Sequence, residues 1–190
     1  MNGHFLQMAA MLWVAWVVSW LTAALFSART TEKAPRRAYV LQLAIAVAGF
    51  YCLFIGRRLG LQPLWTVGPR LGWSMIALQL AGIAFAWWAR IAMGRLWSGN
   101  IARKEGHRVI DNGPFALVRH PIYAGIIMSS LAVAVIDGTA LAPVGVALIA
   151  LGFGLKAKVE ERFLEAALPG YADYRRRVPM LLPRPQAGRR

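Results

Sequence analysis

The sequence predicts an all-α integral membrane protein with about five transmembrane helices and a cap on the cytoplasmic side. Three observations predict this fold class. Hydrophobic residues make up 58% of the 190-residue chain, and they are concentrated in long runs almost free of charge. In addition, 22 Lys and Arg against 8 Asp and Glu give a formal net charge of +14. This apolar content excludes a disordered chain, and basic charge gathered between apolar runs is typical of the cytoplasmic side of a membrane protein.

The apolar runs define the candidate helices in order along the chain. A spanning helix needs about 20 mostly apolar residues, and the five runs cover residues 5–26, 38–56, 71–89, 122–136 and 138–155. The last two are separated only by an Asp and a Gly-Thr turn, which predicts a tight helical hairpin. The first run has no Lys or Arg before it and is longer than the apolar core of a signal peptide, so we expect it to span the membrane.

The placement of Lys and Arg predicts the orientation. If all five runs span, segments 29–37, 90–120 and 156–190 share one side and hold 19 of the 22 basic residues. The positive-inside rule places that side in the cytoplasm. We therefore expect an external N-terminus and a cytoplasmic C-terminus, in the inner or cell membrane if the source is bacterial. Three arginines in the loop 57–70 fit this topology least well, and a re-entrant or four-span arrangement would accommodate them.

The excess charge has a simple explanation in contact with anionic lipid headgroups. No nucleic-acid-binding module is recognisable among the apolar runs, so we expect no nucleic-acid partner.

The single cysteine, Cys52, rules out an intrachain disulfide and a cysteine-based metal site. We predict no metal site of any kind. The oligomeric state stays open.

Residues 94–121 are long for a connection between helices, and connections of this length are usually functional. The segment contains a strong turn signal, Asp-Asn-Gly-Pro, and ends in Arg119-His120-Pro121. Because a residue before proline avoids the helical region, we expect His120 just outside the fourth helix and Pro121 in its first turn. The free N–H groups of that turn and the helix dipole then predict an anion site beside Arg119 and His120. The alternative is that these two side chains anchor the helix at the lipid headgroups.

The segment after the fifth run forms the second part of the cap. Lys156 and Glu160 are four residues apart and share one face of a helix, which a Leu-Pro-Gly stretch should end. Tyr171 and Tyr174 follow at helical spacing, and we expect them in an interfacial aromatic belt. The three arginines 175–177 should contact lipid phosphates.

Taken together, these residues resemble the isoprenylcysteine carboxyl methyltransferase family and the related phospholipid methyltransferases. The resemblance covers residues 94–183, and its most specific part is Arg-His-Pro-x-Tyr-x-Gly between Gly-Pro-Phe and Glu-Glu. The first two helices carry no recognisable signature. The matching pieces are Gly94-Arg95-x-Trp97-Ser98, His107-x-Val109-Ile110, Gly113-Pro114-Phe115, Arg119-His120-Pro121-x-Tyr123-x-Gly125, Glu160-Glu161-x-x-Leu164, Tyr171-x-x-Tyr174 and Val178-Pro179.

We expect a single membrane domain over residues 1–190, with transmembrane helices in 1–93 and the methyltransferase signature region in 94–183, which includes the helical hairpin 122–155. The resemblance implies a methyltransferase that uses S-adenosylmethionine (SAM), bound by the cytoplasmic cap. The positions that match the family's cofactor-binding residues are Asn100, His107, Arg108, Val109, Ile110, Phe115, His120, Pro121, Ile122, Tyr123 and Glu160. The candidate catalytic residues are Glu160, Arg119, His120 and Lys156.

Each part of SAM has an expected partner under this resemblance. We expect its carboxylate at the start of the fourth helix near His120, its adenine against Phe115 or Tyr123, and its ammonium or sulfonium beside Glu160. Phe115 replaces a tyrosine that is common in the family. Lys156 stands where an animal relative carries an arginine linked to the substrate carboxylate, which keeps the charge but loses the bidentate fork.

The implied acceptor is a lipophilic small molecule or a lipidated substrate embedded among membrane lipids, with the carboxylate of an isoprenylcysteine-like substrate as the first candidate. Three alternatives remain open from the residues. They are an ethanolamine-type phospholipid N-methyltransferase, a non-catalytic membrane scaffold of the same fold, and a membrane reductase that uses NADPH.

Overall fold

The computed structural model describes residues 2–26, 30–33, 39–97, 102–104 and 108–183. Their elements in chain order are α1 Asn2–Ala24, β1 Thr30–Lys33, α2 Val40–Ile55, α3 Pro69–Met93, β2 Ala102–Lys104, α4 Pro121–Asp137, α5 Leu141–Ala167 and α6 Tyr171–Arg177. Short 3₁₀ turns cover Gly56–Leu59, Gly94–Leu96 and Gly113–Ala116. The predicted all-α membrane fold is confirmed. The antiparallel pairing of β1 with β2 was not predicted.

Four helices in the described part of the chain are long and apolar enough to cross a bilayer, namely α1, α2 with its 3₁₀ extension, α3 and α5. The predicted fourth helix, α4, has 17 residues and is about 26 Å long, slightly less than the roughly 30 Å of a hydrocarbon core. Most of α4 is buried by its neighbours. The predicted fifth helix continues without a break to Ala167, which carries its charged face beyond the apolar run.

Two pairs of helices form the body of the fold. α2 packs along α5, and α3 packs along α4, which also contacts α5. Glycines allow the first pair to approach closely, since a Cβ added at Gly145 would lie 2.7 Å from the carbonyl oxygen of Gly49. A Cβ at Gly152 would likewise lie 2.7 Å from the carbonyl oxygen of Gln42. Small residues at helix contacts are typical of membrane proteins, where close backbone approach replaces the hydrophobic effect.

The end of the fold opposite the cap is fixed by a buried carboxylate. Asp137, at the end of α4, accepts a hydrogen bond from Arg57 Nε at 3.1 Å, and its backbone carbonyl accepts one from Arg57 Nη2 at 2.6 Å. The second carboxylate oxygen accepts from the backbone N–H of Thr139 at 3.1 Å. One of the three arginines that fit the predicted topology least well is therefore neutralised within the fold.

A separate apolar cluster attaches the cap to the helices. Its buried members are Ala89, Phe115, Leu168, Tyr171, Tyr174 and Val178. They come from α3, from the 3₁₀ turn before α4, and from the segment that follows α5. The two parts of the cap identified in the sequence thus pack on each other and on the end of α3.

Candidate active site

The start of α4 is built as the sequence predicts. His120 is the residue before the helix, and Pro121 occupies the first turn. The backbone N–H of Arg119 donates to the carbonyl of Pro179 at 2.8 Å, and that of His120 donates to the carbonyl of Met180 at 3.1 Å. The chain that follows α6 therefore lies alongside the residues that lead into α4 and holds them in place.

The guanidinium of Arg119 is directed into this junction. Its Nε donates to Glu161 Oε1 at 2.7 Å, and Nη1 donates to the carbonyls of Arg175, at 2.9 Å, and of Val178. The sequence placed Arg119 beside an anionic ligand. In the structure the arginine pairs with a carboxylate of the protein and with the C-terminal segment, and its contact with a ligand stays a prediction.

Glu161 is part of the Glu160-Glu161 motif but was not among the predicted site residues. It is 3% exposed, and its Oε1 also receives His120 Nε2 at 3.0 Å. Its second oxygen lies 3.4 Å from Arg175 Nε. The anion expected next to Arg119 and His120 is thus supplied by α5 itself. Helical spacing alone puts Glu161 on a face with Glu165, and the packing of α5 on α4 brings it to the histidine.

Glu160, the neighbouring carboxylate, faces a different group. Its Oε2 accepts a hydrogen bond from the Tyr123 phenol at 2.7 Å. The Tyr123 ring is stacked on the imidazole of His120, with centroids 5.3 Å apart and an interplanar angle of 2°, and it also contacts Phe153 at 4.9 Å. Lys156 Nζ lies 5.3 Å from the centroid of the Tyr123 ring, within the range of a cation–π interaction. The predicted residues of α4 and α5 therefore meet around Tyr123.

Two tyrosines of α6 lie in the cap core. Tyr171 and Tyr174 were expected in an interfacial belt, and this was wrong, because they are only 4% and 3% exposed. The Tyr174 phenol donates to the carbonyl of Phe115 at 2.8 Å. Burial raises the pKa of both phenols above the ordinary value of tyrosine, so both stay protonated at neutral pH.

The arginines of α6 pair with carboxylates of the cap, and their contact with lipid phosphates stays a prediction. Arg175 Nη1 lies 2.7 Å from Glu165 Oε2, and Arg176 pairs with Asp173. Arg177 Nη2 lies 3.3 Å from Asp111 Oδ2. These pairs join α6 to α5 and to the turn that precedes α4. The arginines thus contribute to the structure of the cap.

The side chains around Tyr123 line a cavity of about 280 Å³. This volume is close to the lower end of the range for small-molecule sites, roughly 300 Å³. Asn100 and His107 lie outside the described residues. The other predicted site residues line the cavity, and they are Arg108, Val109, Ile110, Phe115, Arg119, His120, Pro121, Ile122, Tyr123, Lys156 and Glu160. Glu161 is behind this lining.

An aromatic wall of three tryptophans also lines the cavity, and of these only Trp97 belongs to a motif identified in the sequence. Trp16 and Trp20 of α1 contribute rings with centroids 4.9 Å apart, and Trp97 adds a third ring 5.4 Å from that of Trp20. All three line the cavity. For Trp16 and Trp20, the only sequence signal was their spacing of four residues on α1, which places them on one helix face. The cavity lining therefore combines charged side chains with apolar aromatic ones.

Residues 75–166 match the isoprenylcysteine carboxyl methyltransferase family. The resemblance predicted for residues 94–183 is confirmed where the two overlap, up to residue 166. The matched part begins within the first half of α3, includes all of α4 and extends almost to the end of α5. This part of the chain is therefore similar to a family of membrane methyltransferases.

The chain is also similar to two curated bacterial proteins. It is 30% identical over 112 residues to the cobalt-zinc-cadmium resistance protein CzcN of Cupriavidus metallidurans, which covers 58% of this chain and 50% of that protein. It is 27% identical over 113 residues to the nickel-cobalt-cadmium resistance protein NccN of Alcaligenes xylosoxydans xylosoxydans, which covers 58% of this chain and 51% of that protein. The chain thus spans about half the length of these relatives.

Proposed function

We propose that the protein is a SAM-dependent methyltransferase that acts on a lipophilic, membrane-embedded acceptor, with the carboxylate of an isoprenylcysteine-like molecule as the methylated group. The observation that carries the proposal is the cavity. It gathers residues from the segment before α4, from α4 and from α5, and the family match includes these elements.

The residues of the cavity suit the chemistry of SAM. The cofactor has an adenine ring, a carboxylate, an ammonium and a sulfonium. Phe115 and Tyr123 offer aromatic faces, Arg108 and Lys156 offer positive charge, and Glu160 offers a carboxylate held by the Tyr123 phenol. When bound, SAM supplies a methyl group activated by the adjoining sulfonium.

The charge of the cavity favours an anionic acceptor. The charge of Arg119 is compensated by Glu161 and by backbone carbonyls. The net charge of the other described charged residues that line the cavity therefore comes from Arg108, Lys156 and Glu160. Their sum is positive by one charge. A carboxylate is attracted to it, whereas a cationic amine is repelled. A carboxylate is also ionised at neutral pH and needs no general base.

The chain contributes mainly by positioning. Lys156 can orient the acceptor carboxylate, and Glu160, held by Tyr123, can hold the cationic part of the cofactor. Holding two reactants in an aligned geometry can replace a large part of the barrier to a bimolecular reaction. The aromatic wall of Trp16, Trp20 and Trp97, together with Phe153, suits the apolar body of a lipid.

Phospholipid N-methylation is the second candidate, and Glu160 is the observation that favours it. An amine must lose its proton before it attacks, and a carboxylate within the cavity can accept that proton. The two candidates differ in the acceptor that they require, so a panel of acceptors separates them.

Two measurements test the proposal. Purified protein in detergent should bind SAM in calorimetry, and SAM at 100 times its dissociation constant should stabilise the fold by about 2.7 kcal/mol. Radiolabelled methyl transfer should then be measured with prenylcysteine analogues, fatty acids and aminophospholipids. We expect label in the prenylcysteine analogues. The absence of a melting shift at millimolar SAM would exclude both methyltransferase candidates.

A further inference from the structure

Glu160 and Glu161 are neighbours in sequence but have different surroundings. Glu160 lines the cavity. Glu161 lies behind the lining and is 3% exposed. It can therefore influence a ligand in the cavity only through the side chains that it holds, which are Arg119, His120 and Arg175.

The arginines around Glu161 determine how it interacts with His120. A carboxylate with guanidinium nitrogens at 2.7 Å from Arg119 and 3.4 Å from Arg175 is ionised, and an ionised carboxylate only accepts hydrogen bonds. His120 Nε2, at 3.0 Å from the same oxygen as Arg119, must then carry the proton. In a neutral imidazole, the other nitrogen, Nδ1, is left as an acceptor.

Tyr123, the second neighbour of His120, connects the Glu161–His120 contact to the cavity. The imidazole is stacked on Tyr123, and the Tyr123 phenol donates to Glu160. A continuous chain of contacts thus runs from Glu161 through His120 and Tyr123 to Glu160. The orientation of the cavity carboxylate depends on the orientation of the imidazole, which Glu161 sets.

We propose that Glu161 is a positioning residue that holds His120 in its Nε2–H form, so that Nδ1 accepts a hydrogen bond from the ligand. The ligand group beside His120 is then a donor, an ammonium or a hydroxyl, and not the carboxylate expected there from the sequence. The inference rests on the proposed function for the identity of the ligand. The proton on His120 Nε2 follows from the contacts of Glu161 within the protein.

The protonation can be measured directly by nitrogen NMR. The full chain contains three histidines, so protein labelled with ¹⁵N-histidine in detergent gives few signals, and a His120→Gln variant assigns those of His120. We expect a protonated Nε2 and an unprotonated Nδ1 at neutral pH. A proton on Nδ1, whether in the other tautomer or in an imidazolium, overturns the proposal.

Substitutions test whether Glu161 is responsible. Glu161→Leu removes the acceptor, and we expect a mixture of His120 tautomers and a SAM affinity about tenfold lower, the effect of losing one good hydrogen bond. Glu161→Gln keeps an oxygen that can accept from His120, so it should restore the Nε2–H signal and most of the affinity. The matched control is Glu165→Leu, which loses a contact with Arg175 and should leave the His120 signals and the affinity unchanged.

The outcomes separate this inference from the proposed function. Unchanged His120 signals in Glu161→Leu would show that Glu161 does not set the tautomer. If Glu161→Leu does not fold, the wild-type signals and the Gln variant still decide the question, because either can show a proton on Nδ1. A wild-type protein that has the expected signals but binds no SAM contradicts the proposed function and leaves the role of Glu161 standing.

Discussion

The phenol of Tyr123 donates a 2.7 Å hydrogen bond to the carboxylate of Glu160 and so links α4 to α5 at the cavity. Both residues line the cavity. The bond fixes one carboxylate oxygen of Glu160 and leaves the rest of the group available to a ligand. It also explains how a carboxylate is kept near the membrane interface, where an unpaired one is unfavourable.

Removal of the Tyr123 phenol should lower the activity of the site without abolishing it. Tyr123→Phe keeps the ring that is stacked on His120 and loses only the hydrogen bond, and bonds to charged groups are worth about 1.5–3 kcal/mol. We expect kcat/KM for methyl transfer to fall roughly tenfold to a hundredfold. Tyr51→Phe, which removes the phenol of an exposed tyrosine on α2, is the control and should retain full activity.

Loss of the cavity carboxylate itself should have a larger effect. Glu160→Ala removes the group that we assign to the cationic part of the cofactor, and it leaves Lys156 without the acidic residue one turn away. We expect kcat/KM to fall by at least about a hundredfold, or 2.7 kcal/mol, with normal amounts of protein in the membrane. Glu165→Ala is the control on the same helix. Full activity in Glu160→Ala would show that the site is assigned to the wrong residue.

The contact of α2 with α5 should tolerate no added side chain at its centre. In Gly145→Ala, the new Cβ meets the backbone of Gly49 at 2.7 Å, so the helices must separate. Overpacking of this kind costs about 1–3 kcal/mol, and we expect a lower melting temperature in detergent. Gly154→Ala, on the same helix with no atom within 4 Å of the new Cβ, should melt at or above the wild-type temperature.

The parts of the site that could be predicted from the sequence are those set by local backbone geometry. A residue before proline avoids the helical region, which places His120 directly before α4 as observed. Helical spacing puts Lys156 and Glu160 on one face of a single helix, and both line the cavity. Neither conclusion needs knowledge of which helices are neighbours.

The parts that could not be predicted depend on contacts between distant segments. Glu161 meets Arg119 and His120 across more than 40 residues of sequence, and nothing in the spacing of the two glutamates distinguishes the one that faces the cavity. Tyr171 and Tyr174 have the same spacing in a membrane-interface belt as in a buried cap. Their burial follows from packing against Phe115, which the helical pattern does not record.

The ion pair of Arg57 with Asp137 should stabilise the end of the fold opposite the cap. Arg57→Ala leaves a carboxylate that is 1% exposed without its charged partner. We expect the free energy of unfolding to fall by about 1–3 kcal/mol with no change in SAM affinity, because the pair is remote from the cavity lining. Arg58→Ala, the control at the next position, should be close to wild type. An equal loss in both variants would mean that general charge, rather than this pair, is responsible.

The same pair bears on the orientation of the chain. Arg57 is matched by a carboxylate within the fold, so the loop after α2 has less uncompensated positive charge than its sequence suggests. The segments that hold most Lys and Arg include those that form the cap and its cavity. We therefore predict that the cap and the C-terminus are cytoplasmic. Green fluorescent protein fused after residue 183 should fluoresce, and alkaline phosphatase fused after residue 61 should be active. The reverse pattern would place the cavity on the outer side of the membrane and contradict the positive-inside assignment.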